Sequence, residues 1–114
     1  MQTKIKQSVA VLLAYVIKKE NRDLAKEAPL FCSMLGSDFA CSHDEAMELL
    51  KQGLNSDFNI DEHIGVINEA CKKDLISKMH ILEQINHLIY ADKISENDYE
   101  EFEYIKNKLF ECKK

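Results

Sequence analysis

Apolar side chains recur along this chain at steps of three and four, which gathers them on one face of an α-helix, rather than at the step of two that builds strands. Ile5, Val9, Leu12, Leu13, Val16 and Ile17 form one such stripe and predict a helix from about Thr3 to Lys19, ended by the polar run Glu20-Asn21-Arg22-Asp23. Leu30, Phe31, Met34 and Leu35 predict a shorter second helix beginning near Ala25. Pro29 is tolerated in a first turn but breaks a helix interior, and Gly36 is the expected stop. Ser42 with Glu45 has capping-box spacing ahead of Met47, Leu49, Leu50 and Leu54, so a third helix is expected over about His43 to Gly53. Asn59 with Glu62 repeats the signal before Ile60, Ile64, Ile67 and Cys71, giving a fourth helix that ends near Lys72 or Lys73. Asp74 opens a fifth, with Leu75, Met79, Leu82, Ile85, Leu88 and Ile89 as its inner face; the pattern leaves open whether it is continuous with the fourth. Ser95 with Asp98 caps a sixth through Phe102, Ile105, Leu109 and Phe110, and Lys106, Lys108, Lys113 and Lys114 suit its C-terminus.

The pattern makes the chain all-α, a compact bundle of about six helices in one domain over residues 1–114, since a single core usually takes roughly 100 to 150 residues. Composition agrees: 46% hydrophobic and 31% charged residues suit a globular chain, and three Gly, one Pro and no Trp leave little turn material for a sandwich or barrel. A net charge of -5 argues against a nucleic-acid surface, which needs clustered Lys and Arg, and turns attention to cations and protein partners. The apolar run Val9 to Ile17 falls well short of the about 20 residues of a membrane span, and no small-residue cleavage site follows, so a cytoplasmic protein with no span is expected. Cys32, Cys41, Cys71 and Cys112 are widely spaced without a C-x-x-C; their even number permits two disulfides, but this compartment favours buried thiols.

The two ends of the chain look alike. Val16-Ile17-Lys18-Lys19-Glu20 can be laid on Leu88-Ile89-Tyr90-Ala91-Asp92, and Glu27, Phe31 and Met34 on Asp98, Phe102 and Ile105 with one extra loop residue. Each half reads as an apolar helix, an acidic turn and a carboxylate-bearing second helix, although any two helical hairpins share much of this. The stretch Leu88-Ile89-Tyr90-Ala91-Asp92-Lys93-Ile94-Ser95-Glu96-Asn97-Asp98-Tyr99, continuing to Phe102 and Ile105, resembles the turn of the TerB-like family, which includes tellurite-resistance TerB and the N-terminal domain of the co-chaperone DjlA. The family's Gly is absent after Asp92, and Glu20 and Asn21 stand where the first turn would carry Asp and Gly. The resemblance implies a helical fold of two related halves, a setting in stress or tellurite resistance, and an acidic cluster where the turns meet that has been associated with divalent cations.

Glu20, Asp23, Glu27, Asp92 and Asp98 are accordingly the candidate metal ligands, since oxygen-only clusters suit calcium, magnesium or manganese. The competing reading makes them solvated turn residues and helix caps. His80, Glu83 and His87 share one stripe of the fifth helix, but the order reverses the Glu-x-x-His of di-iron bundles, and an outer polar face is the plainer reading. His43 and His63 sit near helix starts without partner signatures. Tyr15, Phe31, Phe39, Phe58, Phe102 and Phe110 read as packing residues. No G-x-S-x-G, phosphate loop or catalytic Cys signature occurs, so no catalytic residue and no cofactor beyond a divalent cation is expected. The expectation is a non-enzymatic TerB-like module that binds a protein partner or a cation; the alternative is a metal-free regulatory or scaffold bundle, with a second copy of itself as partner.

Overall fold

A computed structural model describes residues 5–19, 24–55, 59–90 and 96–110, apart from the side chains of residue 24 and residues 96–98. Those residues form six helices: α1 (Lys6–Lys19), α2 (Leu24–Phe39), α3 (His43–Asn55), α4 (Ile60–Ala70), α5 (Leu75–Tyr90) and α6 (Glu96–Leu109). The expected all-α bundle is what forms, and no helix among the described residues is long and apolar enough to cross a membrane.

The caps are those their residue types dictate. Ser42 Oγ accepts the Glu45 amide at 3.2 Å and Asn59 Oδ1 accepts the Glu62 amide at 3.3 Å, each satisfying an orphan donor of a first turn. The Glu45 carboxylate pairs with Lys6 at 2.8 Å, tying α3 to the start of α1; this bond holds Glu45 below and Lys6 above their ordinary pKa values. Asp74 accepts the amide and hydroxyl of Ser77, at 3.1 and 2.7 Å, so α5 starts afresh after the turn at 71–73 and is separate from α4.

Two chain-breaking signals act otherwise than expected, and a glycine takes a role of its own. α2 starts at Leu24, which puts Pro29 inside it; Ala25 and Pro29 are both exposed, so the forfeited bond falls on the solvent side of the first turns. Gly36 does not stop α2, which runs on to Phe39 and ends as Ala40 takes a left-handed φ of 55°. Gly53 lies inside α3, where it lets two backbones approach: a Cβ on it would stand 2.7 Å from the Ala14 Cβ of α1. Lys18 Nζ then donates to the Leu54 carbonyl at 2.7 Å, meeting the negative end of α3 with a cation.

α1 is the axis. Val9, Leu12, Leu13, Val16 and Ile17 are buried as the periodicity requires, and Ser8, Ala10, Val11 and Ala14 are buried with them, because α2, α3, α4 and α5 all pack against it. Phe31 and Leu35 of α2, Leu50 of α3, Ile64 and Ile67 of α4, Ile81 and Ile85 of α5 and Ile105 and Leu109 of α6 join the same continuous core. Tyr15, Phe39, Phe102 and Phe110 pack half-buried around it, Phe58 lies outside the described residues, and Cys32, Cys41 and Cys71 stand as thiols. Burial raises the pKa of Cys32 and, together with a bond to Glu45, that of Cys41, which keeps both protonated and poorly nucleophilic.

Candidate functional site

The inner face of α5 is where the structure departs most usefully from the periodicity. Leu82, Ile85, Leu88 and Ile89 are buried as expected, but Leu75 and Met79 are 60% and 51% exposed, and Ile76 beside them is 84% exposed. Lys78 and Ile81 take the inward positions of the first two turns. The cause is the end of α6: buried Lys78 donates from Nζ to the Leu109 carbonyl at 2.9 Å and lies over the Phe110 ring at 5.8 Å. A cation there meets the orphan carbonyls and negative dipole end of α6, and with Lys78 inward the helix carries Ile76 and Met79 on its outer side.

Two hollows run along this apolar strip. Leu75, Ile76, Met79, His80 and Glu83 border one of about 280 Å³. Met79, Leu82, Glu83 and Asn86 of α5 face Phe102, Lys106 and Phe110 of α6 across another of about 480 Å³. Met79 and Glu83 belong to both, so the strip and the groove form one continuous surface. Behind it a polar latch fixes the register of α5 on α2. The Asp38 side chain, only 6% exposed, accepts from His80 Nε2 at 2.8 Å and from Gln84 Nε2. These two bonds tie α5 to α2.

A third hollow, of about 660 Å³, lies between α4, α5 and α6 and is lined by Asp61, Asn68, Glu69, Lys72, Lys78 and Lys108 among others. Several of its polar groups are tied into the helix seam. Asn68 Nδ2 donates to the Lys108 carbonyl at 3.0 Å, Lys78 is held as described, and the Tyr104 hydroxyl donates to Asp61. That last bond raises the Tyr104 pKa above its ordinary value.

The five candidate ligands are not assembled by the described residues. Glu20, Asp23 and Asp92 lie outside them, and Asp98 sits in the first turn of α6 with its side chain outside them as well. Glu27 is fully buried near the start of α2. Among the described residues no group of three or more His, Cys, Asp or Glu side chains is placed to hold a metal ion. His80, Glu83 and His87 are all exposed on α5, with His80 committed to Asp38, and His63 meets Ser8 Oγ at 3.0 Å through Nδ1. The sequence reading missed Ile76, Lys78, Asp38 and Gln84. No protein-family model, curated protein or solved structure matches the chain.

Proposed function

We propose that this chain is a cytoplasmic, non-enzymatic helical interaction module, akin to TerB-like proteins, that docks a protein partner on the face made by α5 and α6. The observation that carries the reading is the run of Leu75, Ile76 and Met79 in solvent beside a groove walled by Phe102 and Phe110. Exposed large apolar side chains scattered singly are ordinary; three on two adjacent turns, opening into a groove, are the form of a helix-binding surface. The resemblance of the Leu88 to Ile105 stretch supports a setting in stress or tellurite resistance.

The test is a photo-crosslinking amino acid placed at Ile76 in cells, with the same group at Gln52, an exposed position on α3, as control. A discrete adduct from position 76 that position 52 does not give supports the reading. The same adducts from both positions, or none from 76, overturn it.

A second reading, binding of a divalent cation through Glu20, Asp23, Glu27, Asp92 and Asp98, is favoured by the full burial of Glu27. A buried carboxylate requires a cation, a proton or hydrogen-bond donors beside it, because desolvating it costs several kcal/mol. A ligand that binds only the folded state raises the melting midpoint by mass action. A rise with calcium, magnesium or manganese that vanishes in the Glu20→Gln, Asp92→Asn variant supports the cation site, and an unchanged midpoint with all three ions removes it.

A further inference from the structure

We propose that α6 is a strap that lifts off the bundle as a unit while the other five helices stay folded. Its hold on the molecule differs in kind from that of α1, which buries every residue from Ser8 to Ala14. Among the described side chains of α6, Ile105 and Leu109 are fully buried, Glu101 and Phe102 are half-buried, and the remainder are exposed. The other attachments are polar. Glu101 accepts the Tyr15 hydroxyl of α1 at 2.7 Å, and the Tyr104 hydroxyl donates to Asp61 of α4. The Lys108 and Leu109 carbonyls of the last turn accept Asn68 Nδ2 at 3.0 Å and Lys78 Nζ at 2.9 Å.

The bonds from Tyr15, Tyr104 and Asn68 lie at partly or fully exposed sites, where water replaces a bond as it opens; they fix the place of α6 more than they hold it there. The Lys78 bond is buried, but lifting α6 returns that cation to solvent, and the regained hydration offsets the bond. Segments with few buried apolar side chains and many exposed bonds are the ones that open ahead of the whole. Nor do the helices beneath need α6 to stay in place. Asn59 caps α4, Asp74 caps α5, and both helices pack on α1. α6 also brings Phe102, Lys106 and Phe110 to the groove, which therefore has two walls while the strap is down and one when it lifts.

The experiment is amide hydrogen exchange of the full chain, with and without urea below the unfolding transition. The amides of α6 should exchange at least about tenfold faster than those of α1 and respond weakly to urea, because lifting one helix exposes little surface. Exchange in α1 should accelerate steeply with urea, as global opening requires. Two changes in α3 separate the openings. Ser42→Ala removes the cap of that helix and should quicken α1 exchange about fivefold, and Leu50→Ala, at a buried position, should quicken it more. Neither should move α6, since α3 is folded both before and after the strap lifts. One rate and one urea slope shared by α1 and α6, or α3 variants that quicken α6 as much as α1, overturn the strap. Because exchange is read on the chain by itself, the outcome is separate from the crosslink at position 76. A strap that opens in a chain without a crosslink stands without the partner, and a crosslink in a chain whose helices open together keeps the partner without the strap.

Discussion

The hairpins α1–α2 and α5–α6 carry similar patterns, an apolar helix followed by an acidic turn and a second helix, yet one is swallowed by the fold and the other is left half open. Val16, Ile17, Phe31 and Met34 in the first hairpin are buried; of the positions aligned with them, Leu88, Ile89 and Ile105 are buried and Phe102 is half-buried. The hairpins part company at the far ends of α1 and α5. α1 is covered on several sides by α2, α3, α4 and α5, so even its off-stripe residues Ser8, Val11 and Ala14 are buried. α5 packs on α1, α2 and α6, and its first two turns keep an apolar side facing water. An apolar stripe thus states that a helix has something to cover; the number of neighbours decides whether the molecule covers it or offers it.

The sharpest way to break this contrast is to delete matched apolar mass from each helix. Leu12→Ala, at a position of zero exposure, should cost about 2–5 kcal/mol of folding stability in urea, whereas Ile76→Ala should change it by less than about 0.5 kcal/mol. Equal losses would mean that the α5 strip is covered within the single chain. Next in size is the close crossing that puts α3 on α1. Gly53→Ala should cost about 1–3 kcal/mol because its new methyl meets the Ala14 Cβ at 2.7 Å. Adding Ala14→Gly should return part of the loss, less about 1 kcal/mol for glycine in a helix interior. A double-mutant cycle with no coupling would show that the backbones separate to make room.

What the sequence made legible was whatever depends on neighbours three or four residues apart. The six helices, the caps at Ser42, Asn59 and Asp74 and the burial of Leu12, Ile64 and Ile85 all follow from local spacing and hydrogen-bonding capacity. Pro29 and Gly36 were misread, and the role of Gly53 went unread, because their meaning lies in their surroundings: solvent beside Pro29, the continuing helix after Gly36, Ala14 against Gly53. The candidate surface was hidden for the same reason. Nothing within the first turns of α5 announces that Lys78 will be drawn inward by the Leu109 carbonyl, 31 residues away, or that Asp38 will catch His80 from another helix. The acidic turns were legible as a pattern, but of their five carboxylates Glu27 alone is placed in full by the described residues.

A gentler change tests the first hairpin through its backbone. Ala40 follows α2 with a φ of 55°, a conformation that costs a residue bearing a Cβ roughly 1 kcal/mol and glycine almost nothing. Ala40→Gly should therefore stabilise the chain by up to about 1 kcal/mol, reduced by glycine's greater freedom in the unfolded state. A loss of stability on thermal or urea unfolding would show that the left-handed turn at Ala40 is not retained in solution.

The smallest expected effect belongs to the other hairpin and is a pH dependence. The Tyr104 hydroxyl of α6 donates to Asp61 of α4, and this bond raises its pKa. Because the folded pKa lies above the unfolded one, the bond's contribution is complete below the unfolded tyrosine pKa and fades as pH rises through the folded value. Tyr104 is 39% exposed, so solvent screening keeps the contribution small. Between about pH 9 and 11 the native chain should lose slightly more stability than its Tyr104→Phe variant, which has no phenol proton to give up. Parallel pH profiles for the two would mean that the hydroxyl is solvated rather than bonded, and that α6 is held on α4 by the Asn68 bond and apolar packing instead.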